Sequence, residues 1–144
     1  MPDPDHIPGW LRIDERTTTS AQISESDLAD LKALGVRRVV NLGLHSHPAA
    51  LPDEAGTVQA LGMAYAHRPV DFQAPTQADL AQFYALMQSL RGETVHVHCI
   101  ANYRVSAFFY RYRIDVLGWS REAARADLEA IWQPYGVWAD LVGD

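Results

Sequence analysis

The residues with the clearest chemical potential lie close together in the segment VHVHCIANYRVS, residues 95–106. It contains Cys99, which is the only cysteine of the chain and directly follows His98, and Arg104 comes five residues later. A thiolate is a strong nucleophile, and a guanidinium group binds tetrahedral oxyanions such as phosphate through two parallel hydrogen bonds. The segment therefore predicts nucleophilic attack by Cys99 on a substrate that carries an oxyanion.

The elements around Cys99 favour the same chemistry. The apolar run ETVHVHC, residues 93–99, predicts a buried strand, and a helical pattern follows from about Val105 to Leu117. At a strand–loop–helix turn, the backbone amides of the loop and of the first helical turn point inward, and the helix adds about half a positive charge. Such a turn stabilises a thiolate and also binds a phosphate-like anion.

Strands and helices alternate along the chain. Strands are predicted within residues 9–14, 36–44, 64–70 and 93–99, and helices within residues 24–36, 53–63, 76–92, 105–117 and 120–132. The polar run TTTSAQIS, residues 17–24, predicts a loop, and residues 135–144 either dock against the domain or fray. The alternation predicts an α/β fold, with a mostly parallel central sheet flanked by helices. We expect one domain over residues 1–144, in which residues 116–144 complete the same unit.

Composition narrows the function classes. The formal net charge of −6 argues against nucleic acid and acidic membranes as partners. A single cysteine excludes an intramolecular disulfide and favours a reducing compartment. Because the start is acidic and proline-rich, with no basic region before an apolar core, we expect neither a signal peptide nor a transmembrane segment. These features predict a cytoplasmic protein.

The segment VHVHCIANYRVS resembles the phosphate-binding loop of the cysteine-dependent protein tyrosine and dual-specificity phosphatases, whose signature is His-Cys, five residues, Arg, then Ser or Thr. The upstream segments TTTSAQISESDLADLKALGVRRVVNLGL and LGMAYAHRPVDFQAPTQADLAQF resemble the bacterial dual-specificity-like branch related to beta-lactamase-hydrolase-like phosphatases. The resemblance covers about residues 9–115. It implies a cysteine-phosphatase-like fold and hydrolysis of a phosphate monoester through a phosphocysteine intermediate, without cofactor or metal. The implied partner is a phosphorylated small molecule or a phosphoprotein, with an oxyanion such as phosphate or sulfate held in the loop.

The resemblance also implies roles for individual residues. Cys99 would be the nucleophile, Arg104 would bind the phosphoryl oxygens, and Asp71, in a loop after a predicted strand, would be the general acid. Asp79 lies in the following helical pattern and ranks behind Asp71. The remaining loop residues would support the site or bind phosphate through their amides: His98, Ile100, Ala101, Asn102, Tyr103, Val105 and Ser106.

Three of these positions carry specific expectations. His98 would support the loop, and Ser106 falls where the family places the hydroxyl that stabilises the thiolate as a leaving group. Asn102 stands where the family has glycine, and asparagine tolerates the left-handed backbone region better than most residues.

The loop departs from the family signature in one respect. The family places its arginine six residues after the cysteine, where this chain has Val105, and Arg104 is one residue early. A shift of one residue on a helix turns a side chain by about 100°. Two alternatives follow: a rhodanese-like sulfurtransferase, whose loop has four residues between cysteine and arginine, and an inactive pseudophosphatase that binds phosphate or a phosphoprotein.

The histidines suggest a further alternative, because imidazole and thiolate are the usual ligands of zinc. Four histidines follow or lie within two predicted strands: His45, His47, His96 and His98. Their spacing does not match a structural zinc motif, and we expect His45 and His47 to line the mouth of the pocket or to face solvent. Gln22, Asn41 and Glu54 have no role assigned by the sequence.

Overall fold

The central sheet contains five strands in the computed structural model, which describes residues 2–143. The strands are β1 (Leu11–Arg12), β2 (Thr17–Ser20), β3 (Arg38–Asn41), β4 (Ala64–His67) and β5 (Val95–His98). The helices are α1 (Glu25–Leu34), α2 (Glu54–Ala60), α3 (Gln77–Ser89), α4 (Tyr103–Asp115), α5 (Arg121–Ile131) and α6 (Val137–Val142).

Strand β5 occupies the centre of the sheet, whose order is β1-β2-β5-β3-β4. It pairs in parallel with β2 and with β3, and β3 pairs in parallel with β4, whereas β1 is antiparallel to β2. The predicted α/β fold with a mostly parallel sheet is therefore confirmed. Because the carboxyl ends of the parallel strands meet at one edge, Cys99, which directly follows β5, lies at the middle of that edge.

Strand β2 corrects the prediction of a polar loop at residues 17–24, since Thr17–Ser20 form a fully buried strand. Threonine is β-branched and favours strands, and the hydroxyl groups here have internal partners. The Ser20 hydroxyl donates to Ala21 O at 2.7 Å, so it accepts from His96 Nε2, also at 2.7 Å. Thr18 Oγ1 lies 2.8 Å from His96 Nδ1 and donates to it. A neutral imidazole thus satisfies both hydroxyl groups.

Helices cover both faces of the sheet, as a parallel sheet requires. In β3 the two valines point to opposite faces, because successive strand residues alternate. Val39 packs with Leu28 and Leu31 of α1, and Val40 packs in the larger cluster that contains Phe83 of α3 and Phe108 of α4.

The C-terminal segment also packs on the larger cluster. Residues 135–144, which were expected to dock or fray, contain helix α6, in which Trp138, Leu141 and Val142 are buried within the same cluster as Phe108. None of the helices within residues 2–143 has the length and hydropathy that a membrane span requires.

Candidate active site

Cys99 is completely buried beside a cavity of about 410 Å³ at the carboxyl edge of the sheet. The cavity brings Cys99, Arg104 and Asp71 together, as the sequence predicts. Its walls come from the loops after β3, β4 and β5, the start of α4 and the α5–α6 connection: Leu44, His47, Asp71, Phe72, Gln73, Cys99, Ile100, Ala101, Tyr103, Arg104 and Tyr135.

Arg104 reaches the cavity even though it is one residue early. Helix α4 begins at Tyr103, two residues before the predicted start, so Arg104 belongs to its first turn. Its side chain is only 6% exposed, and its Nη1 donates to Val70 O at 2.8 Å. Its Nε is buried and has no hydrogen-bond partner among residues 2–143. Val105, at the family's arginine position, is fully buried in the hydrophobic cluster.

The amino terminus of α4 has no side-chain cap, in contrast to α1, α3 and α5. Those helices are capped by Ser24, Thr76 and Ser120, whose hydroxyl groups accept from first-turn amides. The N-cap residue of α4 is Asn102, a strong capping type, but its Nδ2 donates to Gly9 O at 2.8 Å and to Thr19 Oγ1 at 3.1 Å. The first-turn amides of α4 are therefore left to a ligand or to solvent.

Asn102 adopts the left-handed backbone conformation that asparagine tolerates better than most residues. Its φ is 67° and its ψ is 9°, and its side chain is completely buried. Few residues other than glycine tolerate this region, and asparagine is among them. The asparagine therefore keeps the turn that brings the chain from Cys99 into α4, and it adds two hydrogen bonds that glycine lacks.

The side chain of His98 holds the cysteine loop by contacting the main-chain carbonyl of Cys99. Its Nδ1 lies 3.1 Å from Cys99 O, and its Nε2 lies 2.6 Å from Glu54 Oε2, with both side chains buried. Burial of Glu54 opposes ionisation, but the hydrogen bond and charge of His98, aided by Gln22, outweigh it and lower the pKa of Glu54. With Glu54 ionised, its carboxylate accepts from Nε2, and this hydrogen bond fixes the orientation of the imidazole ring against Cys99 O.

Asp71 and Ser106 lie in different surroundings. Asp71 is exposed at the cavity wall, where its Oδ1 accepts from Gln73 N at 2.9 Å. The Ser106 hydroxyl donates to Tyr103 O at 3.1 Å and accepts from Trp132 Nε1 at 3.0 Å. None of the hydrogen bonds found within residues 2–143 joins Ser106 to Cys99, and its role toward the thiolate stays a prediction.

The chain matches solved structures in both fold and sequence. Two crystal structures of a protein from Shewanella putrefaciens CN-32, described as a candidate phosphatase of the DUF442 class, are each 33% identical to it. The matched region spans 94% and 95% of this chain and 87% and 90% of the two crystal structures, respectively. The TM-scores are 0.83 and 0.84. The chain belongs to the DUF442 family.

More distant structures resemble this DUF442 protein in fold. Pseudomonas aeruginosa TpbA, solved with phosphotyrosine, is 22% identical over 84% of the chain and 72% of its own, with a TM-score of 0.70. PTPMT1, solved with PI(5)P, is 20% identical over 92% of the chain and 91% of its own, with a TM-score of 0.77. The fold is thus that of the cysteine-dependent phosphatases, which confirms the resemblance. No protein-family sequence model matches the chain, and no curated protein does.

The histidines considered as zinc ligands do not come together in this DUF442 protein. His96 is bonded to two hydroxyl groups, His98 to Glu54 and Cys99 O, and His45 stacks on His67 with ring centroids 3.7 Å apart. Within residues 2–143, the one group with metal-ligand spacing is formed by His6, Asp27 and Asp30, and none of these residues lines the Cys99 cavity.

Several residues that shape the site carry no signal in the sequence. Glu54 contacts His98 across 44 residues, Trp132 contacts Ser106 from the end of α5, and Trp138 contacts Phe72 O from α6. No local spacing motif links such positions. Only the acidic type of Glu54, at the start of a predicted helix, could have suggested a partner.

Proposed function

We propose that the chain hydrolyses a phosphate monoester through a phosphocysteine intermediate. The Cys99 thiolate attacks phosphorus, the bond to the leaving oxygen breaks, and the Asp71 carboxyl group gives that oxygen its proton. In the second step the Asp71 carboxylate takes a proton from water while the water oxygen attacks phosphorus. The phosphorus–sulfur bond then breaks, and inorganic phosphate and the thiolate are released.

The arrangement around Arg104 carries this proposal. A buried guanidinium group whose Nε has no partner within residues 2–143 is rare, because buried donors are nearly always hydrogen-bonded. It lies in the same cavity as Cys99, next to a helix start without a side-chain cap. Together the guanidinium group and the loop amides provide donors for the oxygens of a phosphoryl group, and their charge supports the transition state.

The cavity supports a substrate with a single phosphate group. Among the wall residues that the structure describes, Arg104 is the only arginine or lysine, and Phe72, Tyr103 and Tyr135 present aromatic surface. A substrate with several phosphates would need more cationic groups than this wall offers. Both a phosphorylated small molecule and a phosphoprotein side chain meet this description.

The test is hydrolysis of p-nitrophenyl phosphate and of phosphotyrosine by the purified protein. We expect activity with an acidic optimum, competitive inhibition by vanadate, and complete loss in Cys99→Ser. Asp71→Asn should reduce turnover of phosphotyrosine by about 10²-fold, the usual contribution of a general acid. The matched control is Asp79→Asn, in which the amide oxygen still accepts from Thr76 N in the helix cap. Activity that survives Cys99→Ser would refute the mechanism.

The four-residue interval between Cys99 and Arg104 keeps sulfur transfer as a second candidate. In that reaction Cys99 takes a sulfur atom from thiosulfate, sulfite leaves, and cyanide accepts the sulfur as thiocyanate. Faster thiocyanate formation than phosphate release would support sulfur transfer. Vanadate binding without turnover of either substrate would instead identify a pseudophosphatase.

A further inference from the structure

The main chain is held by side chains on both sides of Asp71. Before it, Val70 O accepts from Arg104 Nη1 at 2.8 Å. After it, Phe72 O accepts from the indole Nε1 of Trp138, also at 2.8 Å. Asp71 itself is exposed, and its hydrogen bonds are local to the turn that it begins. The position of this carboxyl group is therefore set by two donors from distant parts of the chain.

Trp138 is a rigid anchor for this contact. It is 1% exposed in helix α6, and its ring packs against Phe72, Phe108 and Trp132 with centroid distances of 5.5, 5.9 and 6.1 Å. The Phe72 ring is thus stacked on the same indole whose N–H binds the Phe72 carbonyl. A side chain locked by packing loses little further freedom when it holds a loop.

We infer that Trp138 is a positioning residue for Asp71, which keeps the acid-bearing loop in place before substrate binds. The inference rests on the proposed function, in which Asp71 protonates the leaving oxygen. A general acid acts only within hydrogen-bond reach of that oxygen, and a displacement of about 1 Å can cost about 10²-fold in rate. Trp138 does not line the cavity, so it acts through the loop.

Leaving-group dependence distinguishes this role from a structural one. Phosphotyrosine releases a phenol with a pKa of about 10, so its departure needs the proton of Asp71. The p-nitrophenolate ion is a far weaker base and departs with little help. The ratio kcat/KM reports the steps up to departure of the leaving group. Loss of the indole donor should therefore lower kcat/KM for phosphotyrosine and leave kcat/KM for p-nitrophenyl phosphate nearly unchanged, whereas a general loss of folded protein would lower both values equally.

The test is Trp138→Phe, which keeps an aromatic ring and removes the N–H donor. We expect kcat/KM for phosphotyrosine to fall about tenfold and kcat/KM for p-nitrophenyl phosphate to change by less than about twofold. Trp119→Phe is the matched control, because the exposed Trp119 lies against Arg113 beside a different cavity. Assays are run below the thermal midpoint of each variant, as measured by circular dichroism.

The double variant Asp71→Asn with Trp138→Phe should be no slower on phosphotyrosine than Asp71→Asn alone, because the two residues act through one step. Additive losses, or equal losses on both substrates, would overturn the inference. If Asp71→Asn itself shows no selective loss, the proposed function fails instead.

A measurement on the wild-type protein covers the case in which Trp138→Phe does not fold. The indole N–H of Trp138 should exchange with deuterium far more slowly than that of Trp119. Rapid exchange at Trp138 would overturn the inference.

Discussion

Replacing Glu54 with glutamine tests whether the buried pair with His98 supports the cysteine loop. Glutamine has the same shape but no charge. In Glu54→Gln, a neutral His98 can still donate from Nδ1 to Cys99 O and accept at Nε2 from the new amide. The variant should therefore fold, with a weaker hold on the loop.

The magnitude follows from the charge that is lost. The hydrogen bond between His98 and the Glu54 carboxylate is short, at 2.6 Å, and bonds to charged groups contribute about 1.5–3 kcal/mol. The neutral bond that glutamine keeps contributes about 0.5–1.5 kcal/mol. The 3.2 Å contact with Gln22 can be kept by an amide oxygen. We expect a loss of about 1 kcal/mol in the free energy of unfolding. For 144 residues, an unfolding entropy of about 0.3 kcal/mol/K converts this to a drop of about 3 °C in Tm.

The stability difference between the wild-type protein and Glu54→Gln should depend on pH in one direction. The pKa of Glu54 is lower in the folded than in the unfolded chain, where it is about 4.3. The stabilisation is therefore complete above about pH 4.3 and is lost as the pH falls through the folded-state value. Urea unfolding of both proteins at pH 7 and at decreasing pH should show a difference that shrinks with acid.

The control is Glu93→Gln, which removes the charge of a half-exposed carboxylate paired with Arg38 at 2.8 Å. A pair of this kind contributes about 0.2–1 kcal/mol. If Glu54→Gln is as stable as Glu93→Gln at pH 7, or if its deficit grows in acid, the pair does not hold the loop as described.

Three further predictions concern neighbouring residues. Arg104→Lys should lower kcat/KM by about 10- to 100-fold, because lysine lacks the planar fork, whereas the exposed Arg91→Lys should match wild type. Asn102→Ala should be about 1 kcal/mol less stable than Asn102→Gly in urea unfolding, because φ is 67° and both variants lose the same hydrogen bonds. Burial, aided by the charge of His98, holds the pKa of His96 well below its usual range. Below about pH 6.5, the His96 side chain therefore takes up a proton in the unfolded chain but not in the folded one. The free energy of unfolding should therefore fall between pH 7 and pH 5, by at most about 1.4 kcal/mol per pH unit from this group, and less steeply in His96→Gln.

The regular elements could be predicted wherever apolar periodicity and local capping agree. Ser24 and Thr76 begin α1 and α3 as expected, and each forms a capping box with an aspartate three residues later. Strand β2 was missed because its residues are polar and its partners are distant. Thr18 and Ser20 become suitable for a core only when His96 supplies their hydrogen bonds, 78 and 76 residues further along the chain.

The sequence predicts the site residues that belong to the cysteine loop or to the segments resembling the family, but not those that reach the site through tertiary packing. The cavity contains Cys99, Arg104 and Asp71 as expected, although their catalytic roles remain predictions. The early start of α4 explains how Arg104 reaches the cavity, and that start depends on the left-handed turn at Asn102. Contacts from Glu54 and Trp138 depend on tertiary packing between segments far apart in sequence, so no local pattern indicates them.

The central place of β5 has a consequence for how the chain is made. Until residues 95–98 leave the ribosome, the β1–β2 ribbon and the β3–β4 pair have no strand between them, and β2 and β3 each present an unpaired edge. Such edges are prone to aggregation in a nascent chain. The last strand to be synthesised closes this gap, and the Cys99 loop follows it directly. The thiol of Cys99 is therefore fixed in place only in a molecule whose sheet is already complete.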